Sequence, residues 1–175
     1  PLISLRAHRQ VSYSLDELQE MGTLAGAVRP IVDAMVESKA NVIVSGATGS
    51  GKTTLLSAIL GEVSASERIL VIEESSELRP AHPHVVHLQI RRANVQGKGE
   101  VTMSELVRAA MRMRPDRIVL GECRGAEVRD VLSALNTGHE GGWATVHANS
   151  AADVPARLVA LGALAGMGES VVAAQ

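Results

Sequence analysis

Asn41-Val42-Ile43-Val44-Ser45-Gly46-Ala47-Thr48-Gly49-Ser50-Gly51-Lys52-Thr53-Thr54 is a β-branched run that breaks into glycine and restarts as helix formers. The first five residues read as a buried strand. Residues Thr53 to Leu60 read as a helix closed by Gly61. Strand, glycine loop and helix in that order form a phosphate cradle. Gly46 and Gly51 let the backbone curl so that successive N–H groups face an anion at the positive end of the helix. Lys52 is placed to neutralise the β- and γ-phosphates of a nucleotide, and the Thr53 hydroxyl to ligate Mg²⁺. The phosphate-binding set is Gly46, Thr48, Gly49, Ser50, Gly51, Lys52, Thr53 and Thr54.

Outward from this loop the alternation continues. Strands are expected at residues 68–73, 85–90, 117–120 and 144–147, and helices at 127–135 and 154–164. Two capping boxes, Ser14-Leu15-Asp16-Glu17 and Thr102-Met103-Ser104-Glu105, each open a further helix, and another is expected over 30–39 with Pro30 in its first turn. Strands alternating with helices imply an α/β domain whose mostly parallel sheet is covered on both faces. The Gly/Ala-rich tail from Leu161 has no readable pattern.

Composition narrows the function. The chain has 175 residues, enough for one ordinary domain, with 46% hydrophobic and 21% charged residues. It has no Phe, one Tyr and one Trp, so the aromatic platforms on which single-strand binders stack bases are lacking. A net charge of -2, with both signs interspersed, argues against a duplex-binding footprint. The single cysteine, Cys123, excludes an intrachain disulfide, fits a reducing compartment and reads as a small buried hydrophobe. No run of eighteen apolar residues and no signal-peptide pattern occurs, so a soluble chain is expected. Beginning at Pro1 and stopping within helix-compatible Ala173-Ala174-Gln175, it reads as a piece of a longer protein.

Hydrolysis of a bound nucleotide also needs carboxylates at the metal and the attacking water. Glu122 ends the apolar run 118–121, and the pair Glu73-Glu74 ends the run 70–72, both at strand ends where parallel sheets bind ligands. Adjacent carboxylates cannot share one strand face, so one of Glu73 and Glu74 is solvated or capping. His139 and His147 bracket the last strand, and either is a candidate to sense a γ-phosphate. His82, His84 and His87 with Cys123 match no zinc spacing, and the three histidines read as a solvated loop. Arg91 and Arg92 precede a glycine-containing loop, a surface from which an arginine reaches a neighbour's phosphates if the protein forms a ring.

With these pieces in order, the sequence resembles the type II and type IV secretion and pilus-assembly ATPases, most closely their CpaF/TadA-like branch. The residues that carry the resemblance are Gly46 to Thr53 (Walker A), Ile72 to Leu78 (the Asp box), Arg114 to Gly125 (an atypical Walker B), and Thr137-Gly138-His139 with Thr145 to Ser150 (the His box). The stretch from Asn94 to Val101 is similar to a loop of that branch. The resemblance implies a RecA-like P-loop NTPase core at residues 29–175, C-terminally truncated, with the end of an N-terminal domain and a linker at 1–28. It implies ATP and Mg²⁺ as ligands and a cytoplasmic homo-hexamer peripheral to the inner membrane. Its expected partner is an inner-membrane platform protein, with no direct nucleic acid. Lys52 and Thr53 then hold phosphate and Mg²⁺, Glu73 orients water, Glu122 holds the metal through water, and His147 couples the γ-phosphate to motion. Arg91, Arg92 and Arg124 are candidates for phosphate contacts. A nucleotide-dependent switch and a nucleic-acid-dependent RecA-like ATPase remain as alternatives.

Overall fold

The computed structural model describes Ile3, residues 12–136 and residues 140–174. His139 lies outside them, and so do all but Ile3 of the first eleven residues of the expected N-terminal segment at 1–28. Five strands form one sheet: β1 (Val42–Ser45), β2 (Ile69–Glu73), β3 (Val85–Gln89), β4 (Arg117–Cys123) and β5 (Trp143–Val146). Their order across the sheet is β1-β5-β4-β2-β3, and every pairing is parallel. The helices are α1 (Leu15–Glu20), α2 (Arg29–Glu37), α3 (Lys52–Gly61), α4 (Met103–Met111), α5 (Val128–Asn136), α6 (Val154–Leu164) and α7 (Glu169–Ala173).

Strand alternation sorts the core into two layers. Ile69, Val71, Val119 and Trp143 pack with Leu15 and Leu18 of α1, Val32 and Val36 of α2, and Leu56, Ile59 and Leu60 of α3. Leu70, Ile72, Ile118, Leu120, Ala144 and Val146 face α4, α5, α6 and α7 on the other side. The expected α/β architecture, a parallel sheet between two helical layers, is therefore the one observed. Trp143 is buried in the first layer. Gly142 before it has no room for a side chain, because a Cβ there would collide with Leu135 of α5. The unreadable tail completes α6 and adds α7, whose Val172 closes the second layer.

Both capping boxes form. Ser14 and Thr102 each accept the backbone N–H of the glutamate three residues on, which reaches back to the cap's own N–H. Cys123 is buried, and burial pushes its thiol up to about 12, so it is chemically inert. A feature the sequence did not announce is the full burial of Arg117, only 1% exposed, at the start of β4. Its guanidinium grips Glu67 through Nε at 2.9 Å and Nη2 at 3.2 Å, and donates from Nη2 to the Val36 carbonyl at 2.7 Å.

Candidate functional site

The loop between β1 and α3 has the conformation that its glycines permit. Gly49 and Gly51 have φ values of 77° and 90°, the left-handed region that side chains resist, and Gly51 caps α3 in that state. The first N–H groups of α3 have no carbonyl within the helix and no acidic residue in the first turn competes for them. The Lys52 ammonium lies back over the loop, donating to the carbonyls of Gly46 at 2.8 Å and Ala47 at 2.9 Å. Thr48, Gly49, Lys52 and Thr53 line a cleft of about 610 Å³, which is the size of a small-molecule site. Thr54, exposed on the first turn of α3, does not line it.

The opposite wall is supplied by the C-terminal ends of three neighbouring strands. Glu73 shares the α3-facing side of β2 with Ile69 and Val71, and regular alternation carries it into the cleft. Glu122 gets there differently. By alternation it would follow Leu120 into the layer of α4 and α5. The ladder between β4 and β5 slips, however: Leu120 pairs with Ala144 while Cys123 pairs with Val146. The extra residue is a β-bulge that leaves Leu120 and Cys123 in the apolar layer and re-aims Glu122 toward the cleft. On β5, Thr145 donates to the Gly121 carbonyl and holds the bulge in place. Just past it, His147 brings Nε2 to 2.8 Å from Oε1 of Glu122. That approach is not a hydrogen bond, and this buried oxygen has no hydrogen-bond partner.

The two adjacent glutamates divide their tasks as the strand geometry requires. Glu73 is 4% exposed, and its Oε1 accepts the N–H groups of Glu77 at 3.0 Å and Leu78 at 2.9 Å. Burial raises its carboxyl above the ordinary range, although those two N–H groups and Arg79 pull the other way. Glu74 is the solvated member. It pairs with Arg92 at 2.7 Å and Arg124 at 3.6 Å, while Arg124 also donates to Glu122. That hydrogen bond raises the Arg124 guanidinium further. Arg91 donates to the Gly99 carbonyl and pairs with Val101 through its backbone, pinning the exposed loop at the cleft's edge. Of the residues expected from sequence, Glu73, Glu74, Glu122, His147, Arg91, Arg92 and Arg124 thus line one cleft with Thr53.

One neighbour escaped the sequence reading. His87, grouped there with a solvated loop although it falls within the strand expected at 85–90, lies on β3 with Nδ1 at 3.9 Å from Oε2 of Glu73. The alternation of Val85, His87 and Gln89 along β3 is the signal that would have placed it on the α3 side.

Gly121 is the tightest point of the site. An added Cβ would stand 2.6 Å from Cγ of Glu73 and 3.2 Å from its Oε1. Because Glu73 is anchored by two backbone N–H groups, it cannot step aside without losing them. Gly121→Ala is expected to lower turnover of any nucleotide hydrolysed here by roughly 10- to 100-fold through misplacement of Glu73. Stability should fall by about 1–3 kcal/mol. Steady-state kinetics and thermal melting of the same preparation check both. Turnover equal to that of the parent would mean that the aim of Glu73 is unimportant.

The donor set fits a magnesium nucleotide. A hard divalent ion takes oxygen ligands and keeps several waters. The cleft offers the Thr53 hydroxyl and an unsatisfied carboxylate oxygen on Glu122, beside a glycine loop with a lysine.

Comparison with known proteins gives the family. A family model described as "Type II/IV secretion system protein" matches residues 1–174. A Mycobacterium tuberculosis protein whose provisional name places it in conjugal transfer is 54% identical over 173 residues, which cover 99% of this chain and 49% of that protein. The type IV secretion system protein PtlH of Bordetella pertussis is 45% identical over 128 residues, 72% of this chain and 38% of its own length. The VirB11 ATPase of the Brucella suis type IV secretion system, solved with sulphate, superposes with a TM-score of 0.73 at 30% identity, covering 94% of this chain and 48% of its own. The chain spans about half the length of the curated relatives it matches. With a RecA-like P-loop fold, a phosphate loop and strand-end acids in one cleft, the chain belongs to the type II/IV secretion system protein family.

Proposed function

We propose that this chain is the Mg²⁺-ATP-hydrolysing core of a secretion or pilus-assembly motor, of the CpaF/TadA-like branch that serves Flp/Tad-type pili. The observation that carries the reading is the buried, unsatisfied Oε1 of Glu122, turned by a bulge toward the phosphate loop. Gly46 to Thr53 cradle the phosphates, with Lys52 against the β- and γ-oxygens. Thr53 and Glu122 would hold Mg²⁺, which when bound would neutralise phosphate charge. Glu73 orients and deprotonates the attacking water. His147, beside Glu122, responds to the γ-phosphate and passes its loss to the segment beginning at Ala148. Arg92 and Arg124, now paired with Glu74, line the same cleft as further cations for an incoming phosphate, and Arg91 holds the base of the loop that follows β3.

The remainder of the reading is a homo-hexamer at the cytoplasmic face of the inner membrane, docked on a membrane platform protein and not on nucleic acid. Among the described residues no helix is long and apolar enough to cross a membrane. The VirB11 protein of Brucella suis is an ATPase of a type IV secretion system. The test is ATP hydrolysis with and without Mg²⁺ across a range of chain concentrations, with nucleotide binding followed in parallel. Hydrolysis whose specific activity climbs with concentration is the expected result, because loop arginines then meet a neighbour's phosphates. Tight binding without turnover at any concentration would replace the motor with a nucleotide switch, and absence of binding would sink the phosphate-loop reading.

A further inference from the structure

A buried acid that takes a proton from water must lose it again before the next turnover. Glu73 is poorly placed to do so alone. It is 4% exposed, and one oxygen is committed to two backbone N–H groups. Burial also favours its protonated form. Its other oxygen, Oε2, looks along the sheet to β3. There His87 stands with Nδ1 at 3.9 Å and a side chain 35% exposed, so one edge of the ring meets the acid while the ring still reaches solvent. The gap is about an ångström longer than a hydrogen bond, a slack common in sites that tighten around substrate. Burial, and then the nearby Arg79, hold the imidazole below the usual histidine range, so near pH 7 it is neutral and able to accept. The charged groups around the pair are Arg79 and Glu77 from the segment after β2, Lys52 from α3 and Glu122 from β4.

We propose that His87 is the proton exit of the site, a positioning and relay residue acting through Glu73. This rests on the hydrolytic reading above. In the step, the water oxygen bonds to the γ-phosphorus as the bond from that phosphorus to the β–γ bridging oxygen breaks and ADP leaves. The water's proton goes to Oε2 of Glu73. It then passes to Nδ1 of His87, which carries its resting proton on Nε2; the imidazolium releases the Nε2 proton to solvent, and the Nδ1–H ring left behind returns to the Nε2–H tautomer by proton exchange with solvent at its exposed edge. The acid is restored, and nothing is oxidised or reduced.

The experiment has a spectroscopic arm and a kinetic arm on the same chain. Nitrogen-15 imidazole spectra of the parent should show His87 as the Nε2–H tautomer, with a midpoint that moves downward in Glu73→Gln because a neighbouring negative charge has gone. An unmoved midpoint would mean that the two groups do not communicate, and the relay is overturned. In weak buffer, His87→Ala and His87→Gln should both slow turnover roughly tenfold, and added imidazole should restore them while leaving the parent unchanged. Full activity in the glutamine variant, or no rescue by imidazole in either, would show that the ring only packs, and would overturn the relay with the motor reading intact. A parent chain with no Mg²⁺-dependent hydrolysis overturns the motor reading and the relay with it.

Discussion

Glu122→Gln is expected to lower ATP turnover by roughly 10²- to 10³-fold while leaving nucleotide affinity within a few-fold of the parent. The substitution keeps the volume and the bulge but removes the charge that the site is arranged around. In the parent, Oε2 of Glu122 takes the Arg124 guanidinium and Oε1 lies against His147 with no hydrogen-bond donor of its own. A neutral amide holds a water-ligated Mg²⁺ weakly, and it exchanges a charge-assisted hydrogen bond with Arg124 for an ordinary one. The phosphate loop is untouched, so binding survives. Turnover by malachite-green release, paired with fluorescent-nucleotide titration, separates the two quantities. A variant that turns over within a factor of about three of the parent would remove Glu122 from the chemistry.

Arg117→Ala acts on stability instead, and its expected cost is about 3–5 kcal/mol, a large part of the 5–15 kcal/mol that a domain of this kind possesses. The guanidinium is buried against Glu67 and the end of α2, and Lys39 approaches the same carboxylate at 3.4 Å. Removing the arginine leaves a cavity, an unpaired Val36 carbonyl and a carboxylate with only a half-exposed lysine for company. The same pair sets a pH dependence. Burial pushes the Glu67 carboxyl up, but Arg117 and then Lys39 outweigh it and hold it below the ordinary carboxylate range. A group depressed on folding adds stability that is fully present above its unfolded value and drains away as pH falls through the folded one. The parent should therefore lose stability on acidification below about pH 4.5, and the gap between parent and Arg117→Ala should narrow there. Urea unfolding at neutral and acid pH checks this. A gap that stays constant would assign the cost to lost packing alone.

Much of this molecule was legible from local pattern. The β-branched runs, the glycine loop and the two capping boxes each declare themselves within a few residues, so the layers and the phosphate cradle follow directly. The division between Glu73 and Glu74 follows from strand periodicity. What was hidden depends on partners distant in sequence. The bulge that turns Glu122 exists only in the ladder between β4 and β5, and nothing in Leu120-Gly121-Glu122-Cys123 records it. Arg117 looks like an exposed strand start until Glu67, 50 residues earlier, is brought beneath it. His87 reads as one of a scatter of histidines until β3 pairs with β2. The pairing of Arg92 with Glu74 likewise joins two segments that the sequence leaves unconnected.

The order of the central strands has a consequence for how such a site is tuned. Because β2, β4 and β5 are immediate neighbours, Glu73 and Glu122 stand on, and His147 just past, adjacent strands whose spacing, about 4.8 Å, is dictated by backbone hydrogen bonding. That spacing does not yield to a change of side chain, and with the bulge in β4 already fixed by the ladder the backbone is set. Fine adjustment is left to the length of each side chain, so exchanging glutamate for aspartate at either acid withdraws the carboxylate by one methylene with no compensating backbone motion. What looks like the mildest of substitutions is, on a fixed grid, a change of reach.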